Sequence, residues 1–364
     1  MKSIKFTAVG DIMLCRSVGD FIEKYGPQFP FETIKDQFAG SDIIFGNLEC
    51  SISERGFPSK YWPAHMNFRA HPKVVRGLKE AGFNVLSLAN NHVSNYGEDA
   101  LLDTIRLLQS NGISHVGAGA SAHEAYAPLI LNQNNLRIAI LAYSTILNGS
   151  RIAKNEKSGI AQFSLKKALR SIKAAREKAD LVVVSMHWGI DYETTPVPQH
   201  MECARQMIDA GAVLIIGHHP HVIQPIERYM NGLIIYSLGN FVFDDSLEGT
   251  DISLMFNFTL SDEGIEKYEI IPLEKNEYHQ PCVVEGRKRK KILLDKTEIE
   301  NSESMNTVAF AREMNGKFVL LNLKLSLKER SLYHLKNFDI KTFFSALPYI
   351  IWRLLERMVL QYIG

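Results

Sequence analysis

The chain has 364 residues and a formal net charge of +1, with 46% hydrophobic and 22% charged residues. This is the balance of an ordinary soluble globular protein, and the length allows one large domain or two. A net charge near zero gives no indication of a nucleic-acid or membrane-surface binder. The cysteines form no paired or zinc-knuckle spacing, so we expect free thiols in a reducing compartment.

The N-terminal sequence MKSIKFTAVGD enters a predicted strand almost at once and has neither an apolar signal core nor a cleavage site. No run reaches the roughly 18 consecutive apolar residues that a membrane span needs. We therefore predict a cytoplasmic protein.

Apolar runs alternate with helix-period segments over most of the chain. The runs are apolar on both faces, as expected for strands that are covered on both sides of a sheet. They are IKFTAV, DIIFG, NVLSLA, RIAILAY, DLVVVSM, AVLIIG and GLIIYSL. Residues 97–112, 164–180 and 198–211 have helical spacing and helix-end residues, and residues 251–274 are typical of a β-hairpin around SDEG. The alternation predicts an α/β layered fold.

The character of the sequence changes near residue 276, and we predict a domain over residues 1–275 and a C-terminal extension over residues 276–364. The basic run at 286–291 is typical of a solvated loop rather than a nucleic-acid patch. From Ile340 the apolar residues follow one helical stripe, which predicts an amphipathic helix. Such a helix could dock on the body, or else bind a membrane surface or a partner.

Polar side chains follow the predicted strands at the points where the strands end. Because the carboxyl ends of strands form the ligand crevice in α/β sheets, we expect these side chains to converge on one edge of one sheet. They are Asp11, Asn47, Glu49, Asn90, Asn91, His92, His187, His218, His219, His221 and Asn240.

The side-chain types at these strand ends indicate a metal site. Carboxylate, amide oxygen and imidazole without thiolate suit Mn²⁺, Fe or Zn²⁺. The candidates outnumber the four ligands of a structural zinc site, and the set fits two neighbouring divalent ions.

Each position also has a simpler interpretation. Asp11 could cap a helix, Asn90 or Asn91 could satisfy a turn, and His187 could be a hydrogen-bonded core histidine. Between the last two histidines, Pro220 predicts an extended backbone. The recurrence of polar groups at the ends of strands with apolar interiors favours a shared site over separate explanations.

The motifs VGDIML, GNLEC, LANNHVSNYGEDAL, MHWGIDYE, GHHPHVIQPIE and YSLGNFVFD resemble, in this order, those of the CapA family of poly-γ-glutamate capsule synthesis proteins. The resemblance runs from about residue 4 to residue 245. It implies a four-layer α/β/β/α sandwich of the calcineurin-like metallophosphoesterase type, with a dinuclear metal centre.

The resemblance also implies roles for individual residues. Glu49 would be the carboxylate that bridges two ions, and His92 the general acid for the leaving group. His218 stands in the place of a glycine and is not expected to be a ligand. Matched position by position, the metal ligands would be Asp11, Glu49, Asn91, His187, His219 and His221.

This chain departs from the phosphoesterase pattern at the first strand. Met13 stands where phosphoesterases carry a histidine, and methionine is a poor ligand for a hard ion. The chain is therefore expected to hold two ions, one of them less tightly, or only one.

A second group of residues is expected to support the ligands or to contact substrate. Asp191 and Glu193 could orient a histidine or could simply be solvated. Arg69 could meet an anionic substrate as a bidentate donor or could be an ordinary surface arginine. The full group is Asn47, Asn90, Arg69, Asp191, Glu193, His218 and Asn240.

Taken together, the resemblance implies a metal-dependent hydrolase in the synthesis of a capsule or another anionic surface polymer. Metal-activated water would attack a phosphoester or an amide bond. The alternative is a non-catalytic assembly or polymer-binding component of a capsule synthesis complex. In either case the expected substrate is an anionic polymer or a phosphoester. The C-terminal helix would contact either capsule synthase components or a membrane surface.

Overall fold

The computed structural model describes residues 2–296. Residues 62–66 group with the chain beyond residue 300 in a second unit, and the body considered below consists of residues 2–61 and 67–296. The amphipathic helix predicted from Ile340 lies outside the described residues. Within residues 2–296, no helix is both long enough and apolar enough to cross a membrane.

The body contains strands and helices in alternation. In chain order the strands are β1 (Ser3–Ile12), β2 (Ile43–Leu48), β3 (Ser51–Ile52), β4 (Arg69–Ala70), β5 (Val85–Ser87), β6 (Ser114–Val116), β7 (Ala118–Gly119), β8 (Leu129–Gln133), β9 (Leu136–Ser144), β10 (Gly159–Ile160), β11 (Leu181–His187), β12 (Leu214–His218), β13 (Ile226–Tyr229), β14 (Gly232–Ile235), β15 (Asn240–Val242), β16 (Ile252–Ser261), β17 (Gly264–Lys275) and β18 (Pro281–Val283). The helices are α1 (Arg16–Tyr25), α2 (Val74–Ala81), α3 (Gly97–Ser110), α4 (Ala122–Tyr126), α5 (Leu165–Arg176), α6 (Pro198–Asp209) and α7 (Gly286–Lys296).

Two large sheets organise the body. The first has the order β18-β17-β16-β1-β2-β5-β6, with β15 also paired to β1. The second has the order β13-β14-β12-β11-β9-β8. In the first sheet β1, β2, β5 and β6 are parallel, and β16, β17 and β18 continue the other side antiparallel. In the second sheet the four central strands are parallel, and β13 and β8 pair antiparallel at the two edges. Every apolar run predicted as a strand forms one, and the predicted helices form α3, α5 and α6.

Three apolar cores separate four layers of secondary structure. The first core packs α1, α2 and α3 on the outer face of the first sheet. The second lies between the two sheets and includes the fully buried Phe6 and Val183. The third packs α4, α5 and α6 on the outer face of the second sheet. The expected α/β/β/α sandwich is therefore confirmed, and strands covered on both faces explain the continuous apolar runs.

The predicted hairpin is confirmed, because β16 and β17 pair antiparallel. The expected basic loop is wrong: residues 286–291 form the first turns of α7, since lysine and arginine are good helix formers and Ile292 is buried. The boundary at residue 275 stays a prediction, although β18 continues the first sheet beyond it by pairing with β17.

An irregularity in β1 directs Asp11 toward the space between the sheets. The register of β1 against β2 shifts between Ala8 and Asp11. Side chains alternate along a regular strand, so Val9 and Ile12 would point to opposite faces. Both pack instead in the outer core, which shows that the bulge at Gly10 reverses the alternation. Asp11 consequently faces the second sheet.

The bulge requires glycine at position 10. A Cβ atom there would lie 1.9 Å from the carbonyl oxygen of Gly239, a backbone atom that cannot rotate away. We expect Gly10→Ala to lower the free energy of unfolding by about 1–3 kcal/mol, the usual cost of overpacking. Urea denaturation followed by circular dichroism measures this change.

The matched control is Gly19→Ala in α1, where the atom nearest to an added methyl group, the oxygen of Leu14, would be 3.6 Å away. Because alanine is the better helix former, this variant should gain roughly 0.5–1 kcal/mol. Equal stabilities for the two variants would contradict the role assigned to the bulge.

Candidate metal centre

The predicted ligands meet where the two sheets face each other. Asp11 is the penultimate residue of β1, Glu49 follows β2, and Asn91 comes after β5, and these three strands belong to the first sheet. His187 ends β11, and the turn carrying the later histidines follows β12, both in the second sheet. The expectation that they share one sheet is therefore wrong, because strand order along the chain does not say which strands pair. Each of the seven predicted ligands and catalytic residues is at most 7% exposed.

Glu49 lies at the centre of the cluster. Its Oε1 atom is 3.7 Å from Nε2 of His187, 3.9 Å from Nε2 of His92 and 4.0 Å from Nε2 of His221. Neither carboxylate oxygen has a hydrogen-bond partner among the described residues. Two atoms that coordinate one ion at about 2.1 Å each lie roughly 3–4 Å apart, so these separations suit a shared cation better than direct hydrogen bonds.

The electrostatics of Glu49 also favour a bound cation. Burial, together with the charges of Asp11 and Asp191, raises the pKa of Glu49 well above its usual range. Burying a carboxylate without a compensating charge lowers the stability of the folded protein by several kcal/mol, on the order of the desolvation penalty of one ion. A divalent ion beside Glu49 would remove this cost.

Two groups of three side chains could each hold an ion. Glu49, His219 and His221 form one group, and Asp11, Glu49 and His187 form the other. Within each group the ligand atoms lie within 4.8 Å of one another. Glu49 belongs to both, as the role of a bridging carboxylate would require.

The protonation states suit metal binding. Burial and the neighbouring histidines lower the pKa of His187 well below its usual value, so the imidazole is neutral, the protonation state that a metal ligand needs. Burial alone would raise the pKa of Asp11, but His218, His221 and the amide of Asn47 outweigh it and lower that pKa. Asp11 is therefore a carboxylate.

Asparagine side chains position the cluster. Asn47 donates from Nδ2 to Oδ1 of Asp11 at 2.8 Å, and Asn90 donates from Nδ2 to Oδ1 of Asn47 at 3.1 Å. Oδ1 of Asn91 lies 2.7 Å from Nε2 of His187, and Oδ1 of Asn240 accepts from Nδ1 of His221 at 2.8 Å. These amides fix the orientation of the groups that face Glu49.

Two further expected supporting residues reach the cluster. Nδ1 of His218 lies 3.2 Å from Oδ1 of Asp11, so this histidine contacts a predicted ligand. Oδ1 of Asp191 lies 3.1 Å from Nε2 of His219. Both contacts can orient a ligand, as carboxylate and imidazole partners do in metal sites.

The remaining expected residues have other contacts. The guanidinium of Arg69 lies 4.1 Å from the ring centroid of Tyr96, and Nη1 donates to the carbonyl of Arg55 at 3.5 Å. The carbonyl of Glu193 accepts from Nε2 of Gln224 at 2.8 Å. Met13 packs in the outer core, on the side of β1 away from the cluster.

The turn that carries the last two histidines is strained. His219 has φ +98° and His221 has φ +61°, both in the left-handed region that residues other than glycine rarely adopt. The expectation of an extended backbone before Pro220 is therefore wrong at His219. The backbone N–H of His219 donates to Oδ2 of Asp11 at 3.1 Å, a buried bond to a charged group that helps hold the turn.

A residue that the sequence did not single out, Asn95, determines the tautomer of His92. Its Oδ1 atom accepts from the backbone N–H of Phe68 at 2.9 Å and lies 2.8 Å from Nδ1 of His92. Because Oδ1 can only accept, Nδ1 of His92 carries the hydrogen. In the neutral ring, Nε2 then presents its lone pair on the side of Glu49. The only sign of this contact in the sequence is that Asn95 follows His92 by three residues in the motif NNHVSN.

Replacing Glu49 by glutamine tests whether the carboxylate is uncompensated. In metal-free protein at neutral pH we expect Glu49→Gln to raise the free energy of unfolding by about 1–3 kcal/mol, because the raised pKa means that Glu49 must take up a proton when it is buried, whereas glutamine is neutral in both states. The same variant should lose bound metal. Urea denaturation after chelation and elemental analysis by mass spectrometry measure the two effects.

Glu227 provides the matched control, because it is buried but paired. It accepts from Nε of Arg205 at 2.7 Å and from the hydroxyl of Tyr236 at 2.6 Å. Glu227→Gln should therefore destabilise the protein and leave the metal content unchanged. If Glu49→Gln destabilised the metal-free protein equally, the account of Glu49 would be wrong.

Two solved structures give a measure of distant likeness. A putative 5'-nucleotidase from Staphylococcus aureus is 14% identical with a TM-score of 0.45, over 80% of this chain and 58% of that chain. The NAD nucleotidase of Haemophilus influenzae is 10% identical with a TM-score of 0.44, over 87% of this chain and 68% of that chain. Neither likeness bears on the chemistry of the site.

Sequence relatives are much closer. The capsule biosynthesis protein CapA of Bacillus anthracis is 36% identical over 282 residues, 76% of this chain and 68% of the relative. The PGA biosynthesis protein CapA of Bacillus subtilis (strain 168) is 33% identical over 297 residues, 80% of this chain and 77% of the relative. The model of the family described as bacterial capsule synthesis protein PGA_cap matches residues 5–245. The chain is thus a member of the bacterial capsule synthesis protein family to which these CapA proteins belong.

Proposed function

We propose that the chain is a metal-dependent hydrolase that acts on an anionic polymer, or on a phosphoester precursor of one, during capsule synthesis. The observation that carries this proposal is the buried Glu49 carboxylate, whose oxygens have no hydrogen-bond partner among the described residues and face three imidazoles. A polymer-synthesis role is supported by the names of the CapA relatives.

The residues that would hold the metal follow from the geometry. We propose Asp11, Glu49, Asn91, His187, His219 and His221 as ligands for one or two divalent ions, with Glu49 shared. When bound, Mn²⁺, Fe or Zn²⁺ would polarise the scissile group and make water more acidic. The oxygen and nitrogen donors without thiolate suit these metals.

His92 would move the proton that hydrolysis requires. Water contributes an oxygen to the phosphorus or carbonyl carbon, and the leaving alkoxide or amine must gain a proton. Burial lowers the pKa of His92 to about 3, so its Nε2 atom starts unprotonated. It can take the proton released by the water and deliver it to the leaving group.

The surroundings of His92 hold the ring in place for this transfer. Its ring stacks on Phe68 at a centroid distance of 4.0 Å, and Asn95 holds its Nδ1–H. The ring is thereby prevented from turning its Nδ1–H toward Glu49. A fixed ring whose lone pair faces the cluster is the arrangement that proton transfer needs.

A second candidate function is a binding component that uses the metal site to grip polymer or to stabilise the fold. The burial of the whole cluster, at most 7% exposed at any of its predicted ligands, favours this alternative. A phosphoester and a γ-glutamyl amide both fit the same donor set.

Turnover in a His92 variant separates the two functions. We expect metal-loaded protein to hydrolyse bis(p-nitrophenyl) phosphate or γ-glutamyl-p-nitroanilide, and His92→Ala to lower kcat by about 10²–10⁴-fold, the usual contribution of a proton-transfer residue. Metal content should not change, because His92 is not a proposed ligand. Absorbance assays and elemental analysis give both values.

His123→Ala is the control, because His123 is exposed on α4. It should match the wild type in turnover and metal content. Wild-type protein that binds metal but turns over neither substrate class would refute the hydrolase and leave the binding component.

A further inference from the structure

Arg16 occupies an unusual backbone position beside the metal centre. It begins α1, five residues after Asp11, and has φ +54°, in the left-handed region. A residue other than glycine adopts this conformation at a cost in free energy, and such strain is concentrated at functional sites. The contacts of the Arg16 side chain indicate what that function is.

The Arg16 side chain lies next to two aromatic rings that also contact site histidines. Its Cζ atom is 4.7 Å from the ring centroid of Phe68 and 5.7 Å from that of Phe243. Phe68 stacks on His92 at 4.0 Å, and the Phe243 ring is 4.9 Å from the ring of His221. One phenyl ring thus separates the guanidinium from each histidine. The positive charge of Arg16 is also close enough to act on Glu49. It lowers the pKa of Glu49, although burial has the larger effect and raises it overall.

A partly buried aspartate holds the guanidinium in a fixed orientation. Asp244 accepts from Nε of Arg16 at 3.2 Å and also from Nη2. It further accepts from the backbone N–H and hydroxyl of Ser17, at 3.1 and 2.7 Å. Lys275 fixes the segment that carries Asp244, because its Nζ donates to the carbonyls of Phe243 and Asp245 at 2.8 and 3.0 Å.

The pair is asymmetric in exposure. The Arg16 side chain is 30% exposed, whereas that of Asp244 is 7% exposed. The carboxylate of the pair is thus enclosed, whereas the arginine side chain is partly exposed. Arginine has five N–H donors around a planar group, so one that pairs with a carboxylate can also bind a second oxyanion.

We propose that Arg16 binds an anionic oxyacid group of the substrate, a carboxylate or a phosphate, next to the metal centre and thereby selects charged substrates. The inference deepens the proposed hydrolase function by naming a residue that would recognise the anionic substrate, and it rests on that function for the identity of the site. Arg16 is a specificity-determining residue in this account, and Asp244 positions it.

Calorimetric titration tests the proposal without requiring turnover. Manganese-loaded protein is titrated with a γ-linked glutamate pentapeptide, with its neutral γ-linked glutamine counterpart, and with inorganic phosphate. We expect the wild type to prefer the charged peptide or phosphate, and Arg16→Gln to weaken binding of that anion about 10- to 100-fold, the range of one or two charge-assisted hydrogen bonds. The anion whose binding Arg16→Gln weakens, the peptide carboxylates or phosphate, identifies the oxyacid group that Arg16 binds.

Arg137 supplies a matched control, because it too forms a two-point pair with an aspartate. Its Nη2 donates to Oδ1 of Asp180 at 2.9 Å and its Nε to Oδ2 at 3.5 Å, and its side chain is exposed at the start of β9. Arg137→Gln should bind the anions like the wild type. Equal weakening in both arginine variants would overturn the proposal.

The double variant Arg16→Gln/Asp244→Asn separates recognition from a structural role. If Arg16 serves only to neutralise Asp244, removing both charges restores anion binding, and the proposal fails. If Arg16 contacts the substrate, the double variant keeps the 10- to 100-fold loss while its melting temperature recovers.

The outcomes also separate this inference from the hydrolase proposal. Anion binding that depends on Arg16 in a protein without turnover would support the inference and refute the hydrolase. Turnover with anion binding that Arg16→Gln does not change would refute the inference alone. Wild-type protein that binds none of the anions, or binds the neutral peptide equally well, would also refute it.

Discussion

The structure depends on one unfavourable electrostatic arrangement, the burial of Glu49 between two sheets. Its carboxylate oxygens have no hydrogen-bond partner among the described residues, and the nearest imidazole nitrogens are 3.7–4.0 Å away. Proteins rarely keep a buried carboxylate in this state, because its desolvation is not offset. A cation at the same place changes the balance, since the carboxylates and neutral imidazoles then become its ligands. The polar network around Glu49 is most simply explained by that requirement.

The remainder of the fold serves to bring these groups together. Each sheet supplies only some of the proposed metal ligands. The apolar core between the sheets therefore sets the distance between the ligands of the first sheet and those of the second. The bulge at Gly10 turns Asp11 inward, and the strained turn at His219 and His221 brings two rings to 5.8 Å from one another. Local strain of this kind persists only where surrounding packing enforces it. Stability and site geometry are thus coupled through the same few backbone positions.

The sequence predicted the elements well because burial leaves a direct pattern. Strands covered on both faces are continuously apolar, and polar residues stand out at their ends, which is why the ligand candidates could be named. Strand pairing is a long-range property, so the division of the candidates between two sheets could not be read from order along the chain. The positive φ of His219 and the inward turn of Asp11 depend on tertiary contacts. Arg16 was missed because its partner Asp244 lies 228 residues away.

The central claim is that Glu49 is a metal ligand shared by two groups of side chains. Anomalous diffraction from crystals grown with Mn²⁺ tests it most directly, because the signal locates the ion independently of any activity. We expect at least one anomalous peak within coordination distance of the Glu49 carboxylate, and also of His219 and His221 or of Asp11 and His187. A well-ordered Glu49 with no peak beside it at saturating Mn²⁺, Fe²⁺ or Zn²⁺ would contradict the claim.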